Sequence, residues 1–213
     1  MNLTVDVISD VICPWCYIGR RRLEKAFAAF GKPVEVRWHP FQMNPTMPKE
    51  GISRREYRTK KFGSWERSQE LDAHVVSVGK EEGIGFAFDR MERTPNTLDA
   101  HRLIWLADRK GVQDAVVEAL FWAYFTEGKD FGQRQTLLDV VADAGLERST
   151  AEAVLNGNDG MEAIRESEEL SRRHQVDSVP FFIINRKITL AGAQQTDTFL
   201  QAFGASSQME QAR

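Results

Sequence analysis

Two spacings of apolar positions divide this chain into strands and helices. Leu3–Ser9 alternates apolar and polar residues as a strand does, and residues 17–30 repeat apolar positions at helical spacing until Gly31. Residues 33–38 alternate again. A strand, a helix and a second strand in this order predict a βαβ unit with parallel strands. An extended, Pro-punctuated loop is expected over residues 39–48.

Helical spacing then dominates until strand patterns return near the C-terminus. The predicted helices are 65–82, 97–109, 112–126, 133–143, 149–155 and 160–174. Residues 181–184 and 188–191 predict two strands joined by a tight turn, and residues 196–203 a closing helix that frays from Ala205. We therefore expect an α/β fold. Residues 1–50 and 176–213 would form a small sheet domain, and residues 51–175 a long all-helical insertion between its two halves.

The composition is that of a folded protein with a core of its own. The 213 residues are 42% hydrophobic and include 13 Phe, enough for a sizeable core without cross-links. The net charge of −3 argues against general affinity for nucleic acids or membrane surfaces. No charge-free stretch could span a bilayer, and the first residues lack the pattern of a secretory signal. We expect a cytoplasmic monomer or homodimer with no nucleic-acid or membrane partner.

One segment, residues 54–61, is locally basic. Its cationic residues are Arg54, Arg55, Arg58, Lys60 and Lys61. The favoured interpretation is a solvated, mobile face, because a run of like charges usually remains in water. An anion-attracting rim near the active site is the alternative.

The candidate chemistry lies in Cys13-Pro14-Trp15-Cys16, which holds the only two cysteines of the chain. The motif sits at the predicted corner between the first strand and the first helix. Free N–H groups and the dipole at a helix N-terminus favour a thiolate over a thiol. Cys16 lies one turn beyond Cys13, close enough to form a disulfide with it. A dithiol in this position is typical of a redox site.

Three other interpretations of the two cysteines are weaker. A cross-link across so short a loop removes only roughly 2 kcal/mol of unfolded-state entropy, which makes it a poor staple. A zinc site needs further ligands at short spacing. The histidines are instead scattered, at His39, His74, His101 and His174. Two incidental buried cysteines fit poorly with a CxxC motif between a strand and a helix, and in a reducing cytosol such a motif is more often catalytic than structural.

Several segments together resemble one branch of the thioredoxin fold. A CxxC after the first strand of a βαβ unit, followed far downstream by a proline that opens a β-hairpin, resembles the DsbA-type proteins. More narrowly, the chain resembles their FrnE-like group, which is related to 2-hydroxychromene-2-carboxylate isomerases and kappa-class glutathione transferases. The segments that carry the resemblance are residues 10–19, Asn44-Pro45, Asn96-Thr97, Ala100-His101-Arg102, Val179-Pro180-Phe181-Phe182 and Gly192-Ala193-Gln194.

The resemblance implies a thioredoxin-like fold and a role for each matching residue. Cys13 matches the nucleophilic cysteine and Cys16 the resolving one, while Pro180 matches the cis-proline that lies against the active-site disulfide. From the residues alone, a trans bond would be expected before Pro180. Ser178 departs from the family, which often has Gly at this position. The departure would reshape the substrate groove and leave the chemistry unchanged.

The expected substrate-binding residues are Pro14, Trp15, Ser178, Val179 and Pro180. Pro14 suits the first helical turn, where its missing N–H costs nothing. Trp15 cannot give a thiolate positive charge, so we expect a milder oxidant than DsbA, at about −180 to −230 mV rather than about −120 mV. Packing alone is the alternative role for Trp15. The backbone of Val179 would bind an extended substrate strand, unless Val179 pairs within the sheet.

Two polar residues and one aromatic cluster have structural interpretations. Asp10 is expected to cap the approach to the first helix, with proton transfer to Cys16 as the alternative. His101 is expected to be a hydrogen-bonded structural histidine rather than a side chain facing the cleft. The core of the insertion is expected to include Phe121, Trp122, Tyr124 and Phe125.

These residues predict a thiol–disulfide oxidoreductase, acting as a reductase or isomerase on protein or small-molecule disulfides, without a tightly bound cofactor or metal. Glutathione is the candidate co-substrate. A second hypothesis is a glutathione-dependent isomerase or transferase acting on a small aromatic compound. The relatives of that kind resemble enzymes with Ser at the position of Cys13, which counts against it here. A third hypothesis is a non-catalytic, chaperone-like module that uses the same peptide groove.

Overall fold

The computed structural model describes residues 3–211, with side chains as far as Gln208, and has the α/β class that the sequence predicted. The strands are β1 (Leu3–Ser9), β2 (Val34–Pro40), β3 (Ile52–Ser53), β4 (Arg93–Thr94), β5 (Phe181–Ile184) and β6 (Ile188–Ala191). The helices are α1 (Pro14–Phe30), α2 (Arg54–Phe62), α3 (Trp65–Glu81), α4 (Leu98–Arg109), α5 (Gln113–Phe125), α6 (Arg134–Asp143), α7 (Arg148–Asn156), α8 (Met161–Arg173) and α9 (Thr196–Gln211). A 3₁₀ turn covers Phe88–Arg90.

The larger sheet has the strand order β2-β1-β5-β6. β1 pairs with β2 in parallel, with Val5 opposite Val36, so the predicted parallel βαβ unit is confirmed. β1 also pairs with β5 in the antiparallel sense, with Val7 opposite Phe182. Val5 and Val7 project from the same face of this central strand, and both are buried.

α1 begins at Pro14, three residues before the position that the apolar pattern predicted. The fixed φ of proline suits the first helical turn, and its missing N–H has no acceptor there. Cys13 takes the N-cap position, and Gly31 ends the helix with a left-handed φ of 64°. The dithiol therefore lies at the helix N-terminus, with Cys13 just outside the helix and Cys16 in its first turn.

Gly19 allows α1 to lie close to β5 and to the segment before it. A Cβ atom at this position would lie 3.1 Å from Cζ of Phe182 and 3.1 Å from Cγ of Pro180. Both of these neighbours are buried, so they have little room to move away from an added methyl group. The glycine thus sets how near the dithiol helix comes to Pro180.

α9 is longer than the sequence pattern predicted, since it continues to Gln211. The predicted fraying from Ala205 is wrong because the β5–β6 hairpin holds this part of the helix. Ser206 is fully buried, and Nδ2 of Asn185 donates to its Oγ at 2.7 Å. Oδ1 of Asn185 also accepts a hydrogen bond from the N–H of Thr4 at 2.8 Å. One side-chain amide therefore joins the hairpin turn, β1 and α9.

Helices α2–α8 lie between the two halves of the larger sheet. The sequence predicted α3–α8, but not α2. Their segment also contains an antiparallel pair, β3 and β4, with Ile52 opposite Thr94, so the expectation of an all-helical insertion is wrong in this detail. Strands of two residues are too short to produce a readable alternation. The ends of α3 to α8 lie within one residue of the predicted ends.

The basic segment forms α2, and the interpretation as a mobile, solvated face is wrong for its two inward-facing arginines. Arg54 is 4% exposed, and its Nη2 lies 2.6 Å from Oδ2 of Asp72 on α3. Arg58 binds the other oxygen of the same carboxylate, also at 2.6 Å. Lys60 and Lys61 remain exposed, as the composition suggested.

β2 is an edge strand whose outer edge is covered by α5. The side-chain amide of Gln113 accepts from the N–H of Trp38 at 3.0 Å and donates to the Trp38 carbonyl at 3.1 Å. The neighbouring Asp114 accepts from the Trp38 indole at 3.1 Å and pairs with Arg20 of α1. At Trp38 the amide replaces the missing strand partner, so both backbone groups of this residue are satisfied at the edge of the sheet.

Aromatic side chains fill the space between α1 and the insertion. The ring of Tyr17 stacks on Phe121 with 5.1 Å between centroids and meets the edge of Phe86 at 6.1 Å. Phe125 is also buried, so the predicted aromatic core is largely correct. Trp122 is the exception: it is 46% exposed because it lies on the solvent side of α5.

Candidate active site

Cys13 lies where α1 begins and where the chain re-enters the sheet at β5. Its backbone N–H donates to the carbonyl of Asp10 at 3.0 Å, and its own carbonyl accepts from the N–H of Cys16 at 3.0 Å. Its thiol donates to the carbonyl oxygen of Val179, with 3.4 Å between sulfur and oxygen. The side chain is 3% exposed, so a reactant must reach the sulfur through the cavity that Cys13 lines.

Cys16 is enclosed more completely than Cys13, and both cysteines are free thiols. Burial raises the pKa of the Cys16 thiol well above its usual value, because a thiolate would lose its hydration there. The hydrogen bond and the charge of neighbouring Cys13 raise this pKa further, while the hydroxyl of Ser9 acts weakly in the opposite direction. Cys16 therefore remains protonated at neutral pH and is placed to donate a hydrogen bond to a Cys13 thiolate.

Val179 and Pro180 lie opposite the dithiol, and the peptide bond between them is cis. The carbonyl of Pro180 accepts a hydrogen bond from Gly192 at 2.8 Å. Val179 precedes the first residue of β5, so the alternative that it pairs within the sheet is wrong. Within residues 3–211 its N–H has no hydrogen-bond partner, which leaves one donor of this segment for an extended peptide. Ser178 is exposed and bonds to Asp177, away from the dithiol.

Asp10 is fully buried one turn before the dithiol. Its Oδ2 accepts from the backbone N–H of Met43 at 2.8 Å, and its Oδ1 lies 3.3 Å from Nε2 of His101. The predicted capping role is wrong, since no side chain caps the N-terminus of α1 at Cys13. The carboxylate instead holds the loop after β2 against the active-site turn. His101 is the buried, hydrogen-bonded residue that was expected.

A cavity of about 210 Å³ opens beside Cys13, between the start of α1 and the helical segment. Its wall is mostly apolar and includes Met43, Phe62, Leu71, Phe88, Met91 and Phe125. Pro14 and Trp15 line it from the side of the dithiol. Trp15 is half-buried, with its ring 5.8 Å from that of His74, so it both packs and faces the cavity.

Three cationic residues of α2 line the same cavity: Arg54, Arg58 and Lys61. Their i, i+4 and i, i+7 spacing places them on one helix face, which is the signal in the sequence that could have shown them to act together. Burial lowers the pKa of Arg58; the charge of Asp72 raises it and that of Arg54 lowers it further. The segment therefore lies near the active site, as the alternative interpretation expected, and its attraction for anions stays a prediction.

Neither a metal cluster nor a membrane span is present in the described part of the chain. Within residues 3–211, no three His, Cys, Asp or Glu side chains come together as a metal site would require. No helix in the same range has the length and apolar character needed to cross a membrane.

The sheet, the helical insertion and the dithiol at the start of α1 define a class of protein. The chain matches the DSBA-like thioredoxin domain family over residues 4–204, and it belongs to that family. The predicted resemblance to the DsbA branch is thereby confirmed.

Individual proteins are similar to this chain over most of its length. The probable DsbA oxidoreductase SCO1869 from Streptomyces coelicolor is 30% identical, with a TM-score of 0.87 over 94% of this chain and 88% of that one. The cytosolic disulfide reductase DsbM from Pseudomonas aeruginosa, solved with GSH, shares the fold at 20% identity, with a TM-score of 0.68 over 99% of this chain and 100% of that one. The uncharacterized protein YwbO of Bacillus subtilis (strain 168) is 24% identical over 203 residues, 95% of this chain and 96% of that protein.

Proposed function

We propose that this protein reduces or isomerises disulfides of proteins or small molecules with the dithiol of Cys13 and Cys16. The observation that carries the proposal is the position of Cys13. Its sulfur lies at the N-terminus of α1, against the Val179 carbonyl and at the border of the cavity. Membership of a family of thiol oxidoreductases supports the class of reaction.

The reaction begins with attack of the Cys13 thiolate on one sulfur of the substrate disulfide. The positive end of the α1 dipole and the N–H of Trp15, which has no acceptor within the described residues, stabilise this thiolate. A bond forms between Cys13 Sγ and that sulfur, the substrate S–S bond breaks, and the first half leaves as a thiolate. Cys16 then gives its proton to the departing thiolate or to solvent and attacks Cys13 Sγ, which releases the second half as a thiolate and closes the Cys13–Cys16 disulfide. Two electrons pass from the dithiol to the substrate.

The different environments of the two thiols support this order of events. Because its pKa is raised, Cys16 stays protonated and does not compete with Cys13 for the first attack. A protein substrate would lie as an extended strand along Val179, whose N–H is unpaired within the described residues. The exposed Ser178 would line the outer part of that groove.

We place the reaction in the cytosol, in the reducing direction, with glutathione as the co-substrate that restores the dithiol. Two glutathione molecules would reduce the Cys13–Cys16 disulfide and leave as glutathione disulfide. DsbM, a cytosolic disulfide reductase solved with GSH, shares the fold and supports this choice. The reaction needs no bound metal or further cofactor, and it can take place in a monomer or a homodimer.

The reduction of insulin by dithiothreitol, followed as turbidity, tests the proposal. Wild-type protein should accelerate precipitation of the insulin B chain, and Cys13→Ser should be inactive because it lacks the attacking sulfur. Equal activity of wild type and Cys13→Ser would disprove the proposal. Holdase activity that survives replacement of both cysteines would favour the chaperone-like module. Non-covalent glutathione bound in the cleft of Cys13→Ser would favour the isomerase or transferase.

A further inference from the structure

Arg54 is a buried cation whose hydrogen bonds are incomplete. Its side chain is 5% exposed, and Nη2 lies 2.6 Å from Oδ2 of Asp72. Within residues 3–211, Nε and Nη1 have no hydrogen-bond partner, although the guanidinium lies over the ring of Phe88 at 5.1 Å. A guanidinium carries five N–H donors. Nε and Nη1 are not among the fully buried side-chain atoms without a partner, so they remain open to contact with solvent or a ligand. Because Arg54 lines the cavity, unpaired donors lie at the wall that Cys13 also borders.

Arg58 and Lys61 add to the positive charge of this wall. Nε of Arg58 donates to Oγ of Ser68 at 2.8 Å and Nη2 to Asp72 at 2.6 Å, while Nη1 is unpaired in the described chain. Lys61 donates to the hydroxyl of Tyr57 at 2.9 Å and forms no ion pair within residues 3–211. None of the residues that line the cavity is Asp or Glu. Asp72, which does not line the cavity, pairs with Arg54 and Arg58, and within the described residues Lys61 has no carboxylate partner.

The rest of the cavity is suited to an apolar body of limited size. A dry cavity of about 150 Å³ holds a benzene molecule, so about 210 Å³ accommodates one substituted ring. Apolar walls lower the local dielectric, which strengthens the attraction between the excess cations and an anion. Val179 and Ser178 do not line the cavity, so the groove proposed for a peptide is a different surface that meets the cavity at Cys13, Pro14 and Trp15.

We infer that the cavity beside Cys13 binds the anionic half of a small disulfide: an apolar group of about one substituted ring that carries a carboxylate. The inference rests on the proposed function and names a substrate class for that site. Attack by Cys13 forms a mixed disulfide in which this half occupies the cavity and its carboxylate accepts hydrogen bonds from Arg54 and Arg58. The other half leaves as a thiolate. Attack by Cys16 on Cys13 Sγ then expels the bound half as a second thiolate, and two electrons have passed to the substrate.

A matched pair of aromatic disulfides tests the inference. 5,5′-Dithiobis(2-nitrobenzoate) carries a carboxylate on each ring, and 4,4′-dithiodipyridine is uncharged. The ratio of the rate constants for the two probes is measured with the reduced protein and with 2-mercaptoethanol. Dividing the first ratio by the second corrects for the different intrinsic reactivities of the two disulfides. Wild type should favour the carboxylate probe by about tenfold, a typical gain for charge-assisted hydrogen bonds in an apolar site. Arg58→Gln should remove most of this preference, and Lys61→Gln a smaller part.

Lys60→Gln is the matched control, because Lys60 is exposed on the same helix and does not line the cavity. It should keep the wild-type ratio. Should Arg58→Gln fail to fold by circular dichroism, the exposed Lys61 supplies the deciding variant. The inference would be overturned if every folded variant still reduced both probes and did so with the same ratio of rate constants as wild type. Reaction of Cys13→Ser at the wild-type rate would instead overturn the proposed function.

An unreactive pair of ligands gives a second measurement that needs no disulfide chemistry. 4-Nitrobenzoate and 4-nitrobenzamide differ only in the charged group. 4-Nitrobenzoate should slow the alkylation of Cys13 by iodoacetamide at a concentration about tenfold lower than 4-nitrobenzamide does. Equal protection by the two ligands would contradict an anion-selective cavity.

Discussion

Cys13 and Cys16 differ because only one of them borders open space. Cys13 lines the cavity and lies 3.4 Å from the Val179 carbonyl, whereas Cys16 is enclosed in the first turn of α1. Enclosure raises the pKa of Cys16, since a buried thiolate lacks hydration. Local environment, rather than residue type, therefore divides the two thiols into an attacking and a resolving partner.

Trp15 stands between the two cysteines and gives the thiolate no positive charge. Its ring packs beside His74, and it also lines the cavity. The expectation of a reduction potential at about −180 to −230 mV, less oxidising than that of DsbA, stays a prediction.

At the scale of elements, the contact between α1 and β5 depends on Gly19. An added Cβ would lie 3.1 Å from atoms of both Phe182 and Pro180. Gly19→Ala should therefore leave the protein at least about 1 kcal/mol less stable than Gly204→Ala. Gly204 is the matched control because it lies in α9 and a Cβ there meets nothing within 4 Å.

Urea denaturation measures both glycine variants against wild type. Gly204→Ala should be neutral or stabilising by up to about 1 kcal/mol, since alanine favours a helix. The insulin assay should also show reduced activity for Gly19→Ala, because the added methyl group pushes α1 away from Pro180. Equal stabilisation by the two substitutions would show that the contact at Gly19 is loose.

Elements with a clear apolar period were predicted from sequence, and elements held by polar contacts were not. The helices α4 to α7 bury mainly apolar residues, and the ends of α3 to α8 were predicted within one residue. α2 has almost no apolar face, and its inward-facing side is held by the ion pairs of Arg54 and Arg58 with Asp72. The last part of α9 depends on Asn185, which lies in a distant turn. A local sequence pattern does not show contacts with residues in other elements, so α2 and the end of α9 were not predicted.

At the scale of the whole molecule, α1 connects the sheet to the helical segment through three successive arginines. Arg20 pairs with Asp114 and Glu118 of α5, and Arg21 also pairs with Glu118. Arg22 lies 2.6 Å from Glu82 at the end of α3. These ion pairs hold the helix that carries the dithiol against the helices that enclose the cavity.

The pair between Arg22 and Glu82 predicts a dependence of stability on pH. Burial alone would raise the pKa of Glu82, but hydrogen bonds from Lys25 and Arg22 outweigh it and hold the pKa below its usual value of 4.5. A lowered pKa means that the ionised carboxylate stabilises the fold above about pH 4.5 and that this contribution is lost as the pH falls below it. Glu82→Gln should cost about 3 kcal/mol at pH 7, because it leaves a buried guanidinium without its counter-charge.

The free energy of unfolding, measured from pH 7 to pH 3, checks this prediction. The difference between wild type and Glu82→Gln should shrink as the pH falls below about 4.5. Glu81→Gln is the control: Glu81 is exposed, so the substitution should have little effect at any pH. A difference that stays constant down to pH 3 would mean that the ionisation of Glu82 contributes nothing.

The topology of the molecule could be predicted, but the relation of the insertion to the dithiol could not. A strand–helix–strand order and a terminal hairpin were sufficient to predict the mixed sheet and its interruption. The cavity depends on contacts between segments far apart in sequence, such as Asp10 with Met43 and Arg22 with Glu82. One sequence carries no signal for such pairs.

The rate at which iodoacetamide alkylates Cys13 at pH 6 tests most directly whether this sulfur is the attacking thiolate. The measurement uses the Cys16→Ser variant, so that Cys13 is the only thiol, and locates the label by mass spectrometry. We predict alkylation at least about tenfold faster than that of free glutathione at the same pH, because an ordinary thiol is almost entirely protonated there. A rate no higher than that of glutathione would contradict the account.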